Sequence, residues 1–491
     1  MRPLLFAAFA AAVLAGCAGT SAVVAPAEPW SYAARNSRSP NVDLKAAIDR
    51  LLPDSLFQIA NAAVLIVSLD REETLYAFNP RRLFHPASNE KLFTATAALS
   101  ALGPDYELAT VFTIDTISGT IGVQGRGDPL LSTADIDSIA DSLAPLIPRR
   151  EAWRLQCDVS YFDDLYLGEG WTWDAEPAAY AAPVTSLMLN GNTITVSVEP
   201  GTHPGELSLV KTDPITAYVE IENSALTVAD TFPPPPSLEI SRKWRDRSNT
   251  ITVSGSIYDS VRFRQATMSL WQPDRYAAMV IAERLTMRGI PVGEIVMDTV
   301  ALPGEEVYRY AHRVDSAVTY MLKESDNLSA EALLKVVGAE REGTPGTTAA
   351  GRRFLHEYLS RLGIDTLSVS LTDGSGVSRY NLTNAEVILA LLEAVRADTA
   401  LFGPVYHGLP IAGVDGTLER RMRETAAEGN LRAKTGTLSG VSALSGYVRT
   451  RDGELLGFAM LMQHYATRAS RYRAVQDRIG QFLAEFTRRY Y

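Results

Sequence analysis

Cysteine is nearly absent: Cys17 and Cys157 are the only two in 491 residues, so the chain has no disulfide framework to lean on. Histidine is scarce too. Its six copies are scattered and form no H-E-x-x-H, which leaves a zinc hydrolase without its ligands. No G-x-S-x-G elbow supports an α/β-hydrolase, and no internal repeat is visible. Positive charge is in deficit, with 46 Lys and Arg against 57 Asp and Glu for a net charge of -11. That balance gives no basic footprint, so nucleic acid is not an expected partner. Nothing in the residue pattern asks for a metal or another cofactor. What is plentiful is apolar content, 46% of the chain, enough to bury two or three cores.

The first residues have a texture of their own. Met1-Arg2-Pro3 is a short positive start, Leu4 to Leu14 is apolar, and Leu14-Ala15-Gly16-Cys17 is a small-residue exit ending in cysteine. The pattern resembles a bacterial lipoprotein signal over residues 1–17, with lipid on Cys17; the alternative is a plain secretory peptide with a chance cysteine. Either way the expectation is an exported, periplasmic protein, and lipidation would anchor it to a bacterial membrane without spanning it, with the outer membrane the one Ala18 points to. Ala18 lacks the acidic character often linked to inner-membrane retention. Residues 18–41 are rich in Ala, Ser and Pro and read as a tether with an average reach of roughly 25 to 30 Å. Cys157 then has no partner and reads as a small buried hydrophobe.

Three short motifs carry the chemistry: Ser88-Asn89-Glu90-Lys91, Ser325-Asp326-Asn327 and Lys434-Thr435-Gly436. Each alone has a bland reading, as a helix cap, a turn or a strand end; the set in this order does not. A serine hydroxyl is a poor nucleophile until a base takes its proton. Lys91 follows Ser88 by three residues, and Leu92, Phe93, Ala95, Ala98, Leu99 and Leu102 predict a helix stopped by Gly103-Pro104, so both side chains share a face. Ser88 at that helix start has unpaired backbone N–H groups near it for an oxyanion. A lysine must fall from a pKa of about 10.4 by roughly 3 units, about 4 kcal/mol, to act as a base near neutrality. Burial can lower it, and Lys434 is expected to lower it further as a second cation. Lys434 and Thr435 suit a substrate carboxylate, Thr437 a second oxyanion N–H, Ser325 a proton relay and Asn327 an amide ligand.

The coarse pattern predicts a helix over Asp43–Leu52, strands at Ala62–Val67 and Thr74–Phe78, then the Ser88 helix. At the other end, strands at Asn430–Thr437, Ser442–Arg449 and Leu455–Gln463 precede an amphipathic helix over Arg471–Arg488. Two strands from the start and three from the end suggest one sheet closed from both termini. Lys91 to Ser325 spans 234 positions, too long for a connection inside one compact unit. The expected organisation is therefore 42–106 with 312–491 as the catalytic domain and 107–311 as an insert. In the insert, Glu107–Gly127, Ile194–Val198 and Thr250–Gly255 read as strands and Ala134–Ile147 and Arg275–Arg288 as helices. Pro233 to Pro236 is a break that suits neither state. Two β-rich subdomains fit, with the boundary between them open.

With these motifs in place the chain resembles the class C low-molecular-mass penicillin-binding proteins, the D-alanyl-D-alanine carboxypeptidase/endopeptidase family, through S-x-x-K, S-x-N and K-T-G. Further matches are Gly125-Arg126-Gly127-Asp128-Pro129, Leu189-Asn190-Gly191-Asn192 and Asp373-Gly374-Ser375-Gly376-Val377-Ser378-Arg379-Tyr380-Asn381. The resemblance implies an α/β multi-domain fold: a transpeptidase/β-lactamase-like domain, its five-stranded antiparallel sheet flanked by helices, with two domains inserted between the first and second motifs. It implies cleavage of peptidoglycan stem peptides at D-Ala-D-Ala, and in many members of D-Ala-diaminopimelate cross-links, with β-lactam antibiotics as covalent inhibitors. By motif, Ser88 is the acylated nucleophile, Lys91 its base, Ser325 and Asn327 the relay and amide ligand, and Lys434 and Thr435 the carboxylate site. A loop resembling Gly170-Trp171-Thr172-Trp173-Asp174 would read the diaminopimelate end, Asp174 pairing with its ammonium and Trp171 with Leu438 packing its methylenes. Where relatives carry an aromatic after that loop, this chain has Ala179 and Tyr180, and either is open as the pocket residue. Asp373-Gly374-Ser375-Gly376 is expected to shape the cleft, and His85 to be a packing residue.

Two rival functions share parts of this pattern. A serine β-lactamase or esterase of the same fold keeps its first two motifs close, unlike this chain. A catalytically idle peptidoglycan-binding lipoprotein has no need of Lys91 and Ser325 together.

Overall fold

The computed structural model of the chain describes residues 42–488 apart from 53, 232–236 and 299–300. Cys17, the tether and the four-proline break all lie outside the described residues.

The first apolar run forms the strand Asn61–Ser68, buried at all but its first residue. Its side chains alternate between two cores. Ala63, Leu65 and Val67 enter one with Phe93, Val318, Leu333 and Leu389 from four helices. Ala62, Val64 and Ile66 enter another with Leu44 and Ile48 from the first helix and Val475, Ile479 and Leu483 from the last. A strand covered on both faces needs no polar alternation, which is why the sequence shows an unbroken apolar run. Five antiparallel strands follow the order Arg432–Leu438, Val441–Arg449, Leu455–Gln463, Asn61–Ser68, Glu73–Phe78. The sheet is thus closed from both ends of the chain and flanked by helices, as the resemblance implies.

The insert has its own core, in which Phe112, Val123, Leu155, Cys157, Ile194, Ile251, Tyr276 and Ile281 are buried together. Its neck is a strand pair: Glu107–Asp115, entering, runs antiparallel to Glu305–Arg313, leaving, from Glu107 against Arg313 to Glu305 against Ile114. The stretch 107–127 divides into two strands, Glu107–Asp115 and Thr120–Gly125, paired as a hairpin. The larger sheet, ordered Val292–Asp298, Trp153–Asp158, Thr120–Gly125, Glu107–Asp115, Glu305–Arg313, contains two parallel pairs. Parallel neighbours need long crossovers; the helix Thr133–Leu143 supplies one, and the helix Pro273–Met287 leads into Val292–Asp298. Smaller sheets carry Thr193–Glu199 and Thr250–Tyr258. Cys157 is buried in this core, and burial pushes its thiol up to about 12.

Candidate active site

Ser88 lies in a 3-10 turn, Ala87–Asn89, that runs into the helix Glu90–Leu102. That helix has no solvated face over its first ten residues, Glu90 to Leu99. Ala87, just before the serine, has φ +46°, a conformation a side chain adopts only when its surroundings hold it there. The holder is His85. Its Nδ1 accepts the Ala87 N–H at 2.9 Å, which fixes the tautomer, so Nε2 donates to the Ser378 carbonyl at 2.6 Å. Burial lowers the imidazole pKa and keeps it neutral. His85 is therefore a bonded support of the serine turn and more than packing. Two glycines let that turn close: a Cβ on Gly376, at φ +84°, would stand 1.9 Å from the Ala87 carbonyl oxygen, and one on Gly436 would stand 2.8 Å from that of Pro86.

Lys91 is fully buried, with Nζ 3.1 Å from Ser88 Oγ. The same Nζ donates to Asn327 Oδ1 and to the Ser375 carbonyl, each at 2.7 Å. Both oxygens can only accept. In the neutral amine they hold its two N–H bonds and leave the one lone pair for the serine. Burial is the largest cause that lowers Lys91, to about 8, while Asp326, Asp373, Glu331 and Glu90 pull the other way. Lys434 was expected to depress Lys91. Instead burial first, and then repulsion from Lys91, drives Lys434 itself well below the usual lysine range, because Lys434 has a weaker carboxylate surround.

Asn327 opens the helix Asn327–Glu342, capped by Asp326, which accepts from the Ser329 N–H. Both ends of its amide are occupied, Oδ1 by Lys91 and Nδ2 by the Tyr180 carbonyl at 2.8 Å. The amide expected to bind substrate is here bonded to Lys91 and to the Tyr180 carbonyl. Ser325 sits in a left-handed turn at φ +61°, and its hydroxyl makes no hydrogen bond among the described residues.

Lys434, Thr435, Thr437 and Leu438 lie on the edge strand Arg432–Leu438. Asn89 Nδ2 donates to the Lys434 carbonyl at 3.0 Å, tying the strand to the serine turn. The Ala433 N–H points off the sheet to the Pro410 carbonyl at 3.0 Å, and the period of two puts the N–H groups of Thr435 and Thr437 on that same free edge. Thr435 Oγ1 donates to Thr417 Oγ1 at 2.7 Å.

Beneath the site lies a buried acidic cluster that the sequence did not reveal. Glu331 accepts the N–H groups of Gly374 and Ser375 at 3.0 and 2.9 Å. Asp373 accepts from Gly376 N–H at 2.8 Å, Ser378 N–H at 2.6 Å and Asn381 Nδ2 at 2.6 Å. Burial pushes Glu331 up to about 7, with Asp373 adding to it. Glu90 has a bland reading as a solvated helix residue, yet it is fully buried, its carboxyl oxygens have no hydrogen-bond partner, and burial holds its pKa well above the usual range. The i, i+4 spacing of Asn327 and Glu331 on one helix was the signal that could have found Glu331. No group of His, Cys, Asp and Glu among the described residues is arranged to hold a metal ion.

The loop of Trp171 forms a wall of the cleft. Trp171 Nε1 donates to Asp373 Oδ2 at 2.9 Å, and Arg379 N–H reaches the Gly170 carbonyl at 3.4 Å. Asp174 is exposed and has no ion pair among the described residues, while Leu438 is half-buried. Tyr180 is exposed and contributes its carbonyl to Asn327, and Ala179 is half-buried beside it.

A model of the family described as D-Ala-D-Ala carboxypeptidase 3 (S13) matches residues 44–486. A D-alanyl-D-alanine carboxypeptidase of Actinomadura sp. (strain R39) is 35% identical over 467 residues, covering 90% of this chain and 85% of the relative. D-alanyl-D-alanine carboxypeptidase DacB of Haemophilus influenzae is 24% identical over 429 residues, covering 85% of this chain and 88% of the relative. The crystal structure of penicillin binding protein 4 (dacB) from Haemophilus influenzae superposes with a TM-score of 0.78 at 24% identity, over 89% of this chain and 99% of that one. A second structure of it, complexed with a β-lactam, gives a TM-score of 0.73 at 22% identity, over the same shares.

Proposed function

The chain belongs to the D-Ala-D-Ala carboxypeptidase 3 (S13) family, and from that membership we propose how its own residues run the reaction. It is a serine-type D-alanyl-D-alanine carboxypeptidase whose substrates are the stem peptides of peptidoglycan. In our reading Ser88 Oγ attacks the carbonyl of the penultimate D-Ala and its proton passes to Lys91. The N–H groups of Ser88 and Thr437 receive the oxyanion. As the C–N bond breaks, the proton returns from Lys91 through Ser325 to the leaving amine, and water then hydrolyses the ester by the reverse path. The single observation that carries this is the three-way environment of Lys91 Nζ, two fixed acceptors and one serine.

Lys434 and Thr435 would take the terminal carboxylate. An anion beside Lys434 restores its charge, and a charged Lys434 in turn disfavours a proton on Lys91, so binding substrate activates the base. The acyl half of a cross-link is the same D-Ala, which makes D,D-endopeptidase action the same chemistry with a different leaving amine. Asp174 would meet the ammonium at the free end of a diaminopimelate side chain in the stem peptide, with Trp171 and Leu438 against its methylenes. The working unit in this reading is 42–106 with 312–491, and 107–311 supplies the wall. Export to the periplasm and a lipid on Cys17 complete the proposal; no helix among the described residues is long and apolar enough to cross a membrane.

The test is to incubate the protein with diaminopimelate-containing muropeptides, monomeric and cross-linked, and follow D-Ala release and dimer cleavage. Wild type should yield both products and a long-lived penicilloyl ester on Ser88. Undiminished product from Ser88→Ala would overturn the assignment, and rapid multiple-turnover release of hydrolysed penicillin would favour the β-lactamase reading.

A further inference from the structure

We propose that Trp173 and Trp244 form a platform for the amino-sugar rings of the glycan strand that carries the stem peptide, an inference that rests on the peptidase reading above. Trp173 is 74% exposed. A large aromatic left in water forgoes the stabilisation of burial, and a patch of such surface marks a place that is covered in use. It does not stand alone. Trp244, from a segment about seventy residues later in the chain, meets it with ring centroids 5.5 Å apart at 39°.

The pair is held in place. Arg242, two residues before Trp244, has a fully buried side chain and binds Glu176 Oε2 at 2.8 Å, three residues after Trp173. That ion pair locks the two tryptophan-bearing segments together where thermal motion would otherwise scatter them. The segment is also locked to the catalytic groups at both ends. Trp171 is bonded to Asp373, and the Tyr180 carbonyl to Asn327, which itself holds Lys91. Trp173 is therefore the outward crest of a wall whose feet stand in the active site.

The chemistry of the crest suits a sugar. Aromatic faces pack against the apolar C–H faces of pyranose rings. Arg245 places its guanidinium 5.3 Å from the Trp244 ring centroid and has no carboxylate partner among the described residues, so its N–H groups are free for an N-acetyl carbonyl or a hydroxyl.

The experiment compares two substrates with the full chain: a disaccharide pentapeptide, and the same pentapeptide without sugars. Wild type should prefer the glycosylated form in kcat/KM. Trp244→Ala should lose about five- to tenfold on the glycosylated substrate and less than twofold on the bare peptide, so the preference collapses. Trp173→Ala should repeat the pattern, and penicillin labelling of Ser88 at the wild-type rate would show each variant is folded. Equal losses on both substrates, no loss on either, or a changed oligomeric state of Trp244→Ala would overturn the platform. Failure of wild type to release D-Ala from either substrate would instead strike the peptidase reading.

Discussion

Lys91 should titrate in the acylation rate, and the neighbouring charges say which way a variant moves it. The informative change is Asp326→Asn. Asp326 is the largest of the carboxylate influences that raise Lys91, and its structural work is to cap a helix by accepting the Ser329 N–H at 2.6 Å, which asparagine also does. The substitution therefore removes a charge and keeps the fold. A unit charge taken on the order of 8 Å away is worth ~2 kcal/mol at an effective dielectric constant of 20, and partial exposure of Asp326 reduces that to about 1 kcal/mol, roughly 0.7 of a pH unit. With Lys91 at about 8, about one molecule in eleven carries the neutral base at pH 7; lowered by that amount, about one in three does. The rate constant for acylation of Ser88 by benzylpenicillin should thus rise about fourfold at pH 7 and be unchanged on the alkaline plateau. Stopped-flow measurement from pH 5.5 to 10 would show the profile displaced to lower pH. An unmoved midpoint, or one displaced upward, would refute Lys91 as the base.

Two further outcomes follow from the buried cluster and the serine turn. Glu331 is raised from its usual value to about 7, so between about pH 4.5 and 7 the folded chain keeps a proton the unfolded chain has released, and stability falls as pH rises through that window. Glu331→Gln still accepts from Gly374 and Ser375 but removes that penalty, so its unfolding free energy relative to wild type should improve by about 2–3 kcal/mol between pH 4.5 and pH 8; a difference that does not change with pH would contradict a buried ionising Glu331. Gly376→Ala places a methyl against the Ala87 carbonyl at positive φ and should cost about 2–4 kcal/mol in denaturant unfolding while slowing penicillin acylation about a hundredfold through the displaced serine. Wild-type labelling by that variant would show that the contact does not set the turn.

The sequence by itself determined what depends on short range and on pattern. The spacing of three from Ser88 to Lys91 puts a hydroxyl and an amine side by side, the unbroken apolar runs became sheet strands, and the 234 positions from Lys91 to Ser325 required an insert with a core of its own. Tertiary structure decided everything that depends on distant segments meeting in a dry interior. Asn327 and Ser375 reach Lys91 across 236 and 284 positions, and Trp171 reaches Asp373 across 202. No local pattern encodes those meetings. They bond Asn327 to Lys91, place Glu90 in the interior, and make burial, with no second cation among the causes, what lowers the lysine's pKa. Burial is a property of the assembled layers, so the motif could propose Lys91 as the base, and only the fold could show what lowers its hold on a proton.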